Sequence, residues 1–92
     1  MNYYRKKPVV IEAIQFSGKW EDAPLIHEFT EGQSFESSDV DGKRSYLYII
    51  TLEGSMRVSP KDFVIKGVNG EFYPIKENIF AATYEAVENE PS

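Results

Sequence analysis

Ninety-two residues carrying a net charge of −5 support one modest hydrophobic core, and they disfavour a chain whose whole surface embraces a nucleic-acid backbone. The absence of cysteine excludes a disulfide framework and a thiolate metal site, and no apolar run approaches the ~18 residues of a membrane span. An apolar fraction of 41% with 14% aromatic residues places the chain among folded, β-rich domains.

The chain opens on the basic cluster Arg5-Lys6-Lys7, and Pro8 pre-sets an extended entry into a strand at 9–16. That run is apolar on both alternating faces, which predicts a central or doubly covered strand. Glu12 and Gln15 break it as a signal-peptide core, so the chain is expected to be unprocessed and soluble. A helix is expected at 22–31, with Asp22 as its N-cap and Pro24 tolerated in the first turn. Leu25, Ile26 and Phe29 would pack on the sheet, and Gly32 would end the helix in a left-handed conformation.

Strand and turn signals follow. Asp41-Gly42 predicts a two-residue hairpin joining strands at 34–40 and 45–51, the second apolar on both faces and central. Glu53-Gly54 turns the chain into 55–58, Ser59-Pro60-Lys61-Asp62 predicts a β-turn with Pro60 at its second position, and Asn69-Gly70 joins 63–66 to 71–74. A short helical turn at 76–82 precedes a final strand at 83–87. The expected fold is α+β: a strongly curved antiparallel sheet or small partly open barrel of about six or seven strands, with one helix packed on it. The first strand would pair with the last, residues 1–88 would form a single compact domain, and 89–92 a flexible tail.

Catalytic signatures are weak. The single histidine, His27, has no Ser or Asp motif framing it and reads as a surface residue. No cofactor or metal is expected: one histidine without cysteine is a poor zinc set, and Glu36, Asp39 and Asp41 lack the spacing of a calcium loop. Lys66-Gly67-Val68-Asn69-Gly70 is a hairpin turn lacking the phosphate-loop arrangement. Glu12 shares a strand face with Val10 and Ile14. It is either a partly buried, poised carboxylate or an edge carboxylate paired with Arg5, Lys7 or Arg57. Basic and aromatic residues interleave at 3–7, and Arg57, Lys66, Phe72 and Tyr73 fall on neighbouring strands. The pattern fits two readings: cation stems covering an aromatic core, or a ligand surface built from Arg5, Lys7, Glu12, Arg57, Lys66 and Tyr73.

Two blocks carry a family resemblance. They are Tyr4-Arg5-Lys6-Lys7-Pro8-Val9-Val10-Ile11-Glu12-Ala13, and Val58-Ser59-Pro60-Lys61-Asp62-Phe63 through Gly67, Glu71-Phe72-Tyr73-Pro74 and Tyr84-Glu85. Together they resemble the PGDYG-type family of small bacteriophage and prophage proteins over about half the chain. Where that motif has Pro-Gly-Asp-Tyr-Gly, this chain has Pro60-Lys61-Asp62-Phe63-Val64. Lysine in place of the glycine favours a type I turn or a strained one. The resemblance implies a phage-encoded protein working in the host-cell cytoplasm, with no catalytic role to carry over. The expected function is therefore non-catalytic binding, as a counter-defence protein that sequesters a host protein or an anionic nucleotide-like metabolite. The alternative is a sequence-tolerant single-stranded nucleic-acid-binding module. Small size favours a homo-oligomer, and no membrane partner is expected.

Overall fold

Among the described residues the β-branched and aromatic runs form six strands, with one short helix between the first two and another after the last. In the computed structural model, which describes residues 1–4 and 9–87, these are β1 (Glu12–Gln15), α1 (Ala23–Phe29), β2 (Ser34–Ser38), β3 (Ser45–Thr51), β4 (Gly54–Val58), β5 (Phe63–Lys66), β6 (Phe72–Ile75) and α2 (Glu77–Thr83), with a 3₁₀ turn at Trp20–Asp22 ahead of α1. The strands make two antiparallel three-stranded sheets, β1-β5-β6 (sheet A) and β2-β3-β4 (sheet B). The α+β class follows directly.

A single closing sheet does not form. The first strand pairs with β5, and the last strand expected at 83–87 does not form: Thr83 ends a helix and 84–87 has no regular structure. The strand expected over 9–16 is confined to Glu12–Gln15 and lies at the edge of sheet A. Val9 and Val10 are exposed, so the apolar character of that run does not translate into burial. In β3 the central position is as expected. The expected tail at 89–92 lies outside the described residues.

One core joins both sheets to α1. Phe16 and Val64 from the sheet A side, Leu47, Ile49 and Val58 from sheet B, and Ile26 and Phe72 make a single buried cluster, with Ile14 and Phe29 packed against it. Alternation explains the choice: Leu47 and Ile49 face inward while Tyr46, Tyr48 and Ile50 face outward. On α1, Ile26 is buried and Phe29 half-buried, but Leu25 is 56% exposed. One residue on a helix is about 100° of rotation, which carries Leu25 off the sheet-facing stripe. Thr30 closes the helix, its buried hydroxyl donating to the Ile26 carbonyl at 2.8 Å, and Gly32 takes the expected positive φ.

Asp22 does not cap α1. It already has helical φ and ψ, whereas a capping residue sits in the extended region. Its carboxylate instead accepts hydrogen bonds from the Ser17 amide at 2.8 Å and the Ser17 hydroxyl, which pins the 3₁₀ turn to the end of β1.

The link from sheet B to sheet A is the turn at 59–62. The Asp62 amide donates to the Ser59 carbonyl at 3.0 Å, and Lys61 takes φ 74°, so the turn is the glycine-type one with lysine in the left-handed position. Phe16 fixes it: the Lys61 amide donates to the Phe16 carbonyl, and the Phe16 amide donates to the Asp62 carbonyl at 2.9 Å. Asp62, 5% exposed, accepts from the Ser59 amide at 2.9 Å and meets Lys76 at 3.4 Å. Two backbone ties and a buried carboxylate outweigh the cost of roughly 1–2 kcal/mol for a side chain at positive φ.

Candidate functional site

Register places aromatic residues on one face of sheet B. Phe35 pairs with Tyr48 and Ser37 with Tyr46 across β2 and β3, and Tyr48 pairs with Arg57 across β3 and β4. The strand positions of this outward face are therefore Phe35, Ser37, Tyr46, Tyr48, Ile50, Ser55 and Arg57. The one charge among them is a cation. The Phe35 and Tyr48 rings stack in parallel, 5.2 Å between centroids at 11°, and the Arg57 guanidinium lies 4.7 Å from the centre of the Tyr46 ring. Arg57 is exposed, as are Phe35 and Ile50. An exposed cation–π contact contributes about 0.5–1 kcal/mol, so Arg57 is displaced easily by a ligand that offers it a phosphate and offers Tyr46 a ring.

The loop beyond Tyr46 is charged but neutral overall, with Asp39 and Asp41 balancing Lys43 and Arg44. It spans 39–44 and closes with the Asp39 amide donating to the Arg44 carbonyl at 2.9 Å. Asp39 and Asp41 accept from the Lys43 amide at 3.1 and 3.2 Å, so these acids order the loop's own backbone. Hydrogen bonding with Asp39, then with the Lys43 amide, holds the Asp41 carboxyl below its usual range.

On the opposite, α1 side of sheet B, where register places Ser34 and Glu36 with Ile49 and Leu47, lies a cleft of about 380 Å³ lined by Trp20, Pro24, His27, Ser34, Phe35 and Glu36 among others. Its walls are brought together by the Ser17–Asp22 bond, which sets the turn carrying Trp20, and by His27, whose Nδ1 lies 2.9 Å from the Ser34 hydroxyl and 3.2 Å from the Ser34 carbonyl. That His–Ser contact ties α1 to β2.

Of the six residues expected to share a ligand surface, the four that lie among the described residues do not come together. Arg57 is on sheet B. Glu12 and Lys66 are cross-strand partners at one end of sheet A, and Glu12 is exposed, so the burial that would poise its carboxylate is lacking. Tyr73 lies on the opposite face of sheet A, paired with Ile65, the face on which Phe63 stacks against Phe80 of α2. Burial first, then its hydrogen bond to Tyr84 and the nearby Glu71 charge, push the Tyr73 phenol up. Arg5 and Lys7 lie outside the described residues. Sequence reasoning missed Phe35, Tyr46, Tyr48 and Trp20. The signal for the first three was the alternation of tyrosines with Leu47 and Ile49, which puts amphipathic rings on the face away from the core.

No family model, curated protein or solved structure matches the chain, so function is read from the residues themselves.

Proposed function

We propose that this is a non-catalytic binding protein whose working surface is the outer face of sheet B, and that its ligand is a planar, anionic, nucleotide-like molecule. The observation that carries the reading is the group on one sheet face made by exposed Phe35 and Arg57 with half-buried Tyr48 and Tyr46. Ring faces supply stacking at about 1–3 kcal/mol per base, and Arg57 supplies a partner for phosphate. The resemblance to PGDYG-type phage proteins supports the further proposal that the protein is a phage accessory factor in the host cytoplasm, where holding a nucleotide-like signal would counter host defence.

The test is a thermal-shift series with mononucleotides and cyclic dinucleotides on the wild type and on Tyr48→Ser and Arg57→Ala. A ligand at one hundred times its Kd stabilises by ~2.7 kcal/mol, which raises the midpoint of a domain this size by roughly 10 °C or more. Either substitution should remove most of that rise. Flat melting curves at millimolar ligand would overturn the proposal.

A further inference from the structure

We infer that the free edge of β2 docks a cationic, strand-forming segment of another protein. The segment joins sheet B as an antiparallel fourth strand, sets its cation against Glu36 and puts an apolar side chain into the cleft on the α1 side. This site is separate from the nucleotide-binding face and stands without it. Hydrogen-bond parity shows what the edge offers. The Ile50 amide donates to the Gln33 carbonyl and the Asp39 amide to the Arg44 carbonyl, each at 2.9 Å. Antiparallel bonds alternate along a strand, so 33, 35, 37 and 39 turn their backbone groups to β3. Ser34, Glu36 and Ser38 turn theirs the other way, and among the described residues no strand pairs with them. The edge of sheet A at β6 differs, because Pro74 there has no N–H to offer.

The cleft lies at one end of this edge. The Ser34 carbonyl, which points away from β3, meets His27 Nδ1 at 3.2 Å. Helix α1 therefore closes the edge at Ser34, and an added strand runs along Glu36 and Ser38, both exposed. Side chains of a strand alternate between faces. The residue opposite Glu36 thus shares its α1 side, and the residue two places on, level with Ser34, reaches the cleft. There Trp20, Pro24 and Leu47 supply apolar lining, with the Trp20 ring 6.3 Å from that of Phe16. A volume of about 380 Å³ lies within the ~300–1,000 Å³ range of ligand pockets and holds a large apolar side chain.

Charge selects the occupant. Glu36 is the one charged residue among the strand positions on the α1 side of sheet B. A second copy of the chain, paired here about a two-fold axis through Glu36, sets that carboxylate against its own counterpart. Like charges directly opposite destabilise a sheet, and a net charge of −5 on each chain opposes the approach further. A lysine or arginine in the same place reverses the sign. The occupant is therefore a basic extended segment rather than this chain. Main-chain hydrogen bonds supply the affinity of such strand addition, and pockets for alternate side chains supply its specificity.

The probes are end-blocked, labelled peptides of the pattern Thr-X-Lys-X-Leu, with X threonine or valine, titrated with the full chain. Anisotropy reads affinity, and Trp20, the chain's one tryptophan, reports the cleft. Lysine peptides should bind about 2- to 30-fold tighter than versions with glutamate in that place, and Glu36→Lys should reverse the preference. N-methylation of the peptide's lysine removes a backbone donor and should weaken binding roughly two- to tenfold. Trp20 emission should shift to the blue with leucine in the peptide and not with threonine in its place. Tyr48→Ser should leave peptide affinity unchanged while removing the nucleotide effect, so the two proposals fail separately. Binding that ignores the charge swap or the N-methyl group would overturn the inference, as would no binding by any of the peptides at millimolar concentration. A dimer in sedimentation that Glu36→Pro dissolves would assign the edge to a second copy and overturn it too.

Discussion

The two sheets meet the same aromatic-rich sequence with opposite outcomes on their outer faces. Sheet A turns Phe63, Ile65, Tyr73 and Ile75 outward, and α2 folds back over them: Phe80 stacks on Phe63 at 3.8 Å between ring centres and 9°, and Tyr84 follows at 5.2 Å from Phe80. Ile65 is left fully buried there. Polar ties hold the start of α2 in place, Lys76 to Asp62 and Glu77 to Gln15 at 2.8 Å. Sheet B turns Phe35, Tyr46, Tyr48 and Ile50 outward, and among the described residues no helix covers them. Aromatics on a sheet face are thus not evidence of a site in themselves. What separates the two faces is whether the chain supplies its own cover.

The sharpest way to break that comparison is to truncate one ring on each face. Phe80→Ala should cost about 2–3 kcal/mol, below the ~3–5 of a full core truncation because the ring is half-buried, yet large because Phe63 and Ile65 lose their cover. Tyr48→Ala removes a cross-strand pair on an open face and should cost about 0.2–1 kcal/mol. Urea unfolding of the two variants measures the difference. Equal costs would mean that the face of sheet B is structural cover, as the other reading of its cations and rings requires.

Much of this arrangement is legible in the amino-acid sequence alone. A two-residue turn at Asp41-Gly42 pairs residue 40 with 43, and continuing that register pairs Phe35 with Tyr48, as observed, although the ladder ends at Ser38 and Ser45 and a longer loop follows. β3 and β5 lie where β-branched and aromatic runs place them. What the pattern does not carry is partnership between distant segments. The opening run looks like a central strand because Val9, Val10 and Ile11 are apolar, but centrality depends on what pairs with it, and β5 alone does. The helix α2 was legible as a helical turn at 76–82. Its effect on Tyr73 was not, because the covering rings come from Phe80 and Tyr84, which no local rule brings to that face. Lys66 and Tyr73 looked like neighbours of Arg57 on the same grounds, and pleating puts them on two sides of a different sheet.

A smaller effect concerns the corner between the sheets. Lys61 sits at φ 74°, in the position that the resembling motif fills with glycine. Lys61→Gly should stabilise the fold by about 0.5–1 kcal/mol, the relief of left-handed strain less the extra backbone entropy of glycine in the unfolded chain. The thermal midpoint should rise by a few degrees, with ligand affinity unchanged. Gly18 needs the opposite treatment: it has φ +99°, and a Cβ there would stand 3.0 Å from Pro60 Cβ, so Gly18→Ala presses on the same corner and should destabilise it. A Lys61→Gly variant with altered nucleotide binding would show that the corner sets the relation of the two sheets at the site, joining what the comparison keeps apart.

The smallest effect is a pH dependence confined to the turn beside the open face. Hydrogen bonds from the Ser17 hydroxyl, then from its amide, hold the Asp22 carboxyl below its usual range. A carboxyl whose pKa is lower in the folded state than in the unfolded chain stabilises the fold above the unfolded value, near pH 4. That contribution disappears as pH falls through the folded value. Asp22→Asn keeps an acceptor but not the charge, so wild type and variant should differ at pH 6 and converge as the pH falls below about 4. Measuring the difference between the two removes the background of the other carboxylates. Because Asp22 anchors the turn that carries Trp20, the same acidification should shift Trp20 emission to the red in the wild type before global unfolding. Tyr73, beneath α2, should not move in that range, since its phenol titrates on the alkaline side. An emission shift that tracks global unfolding at every pH would mean that the Trp20 turn has no independent freedom, and that the cleft is as rigid as the covered face of sheet A.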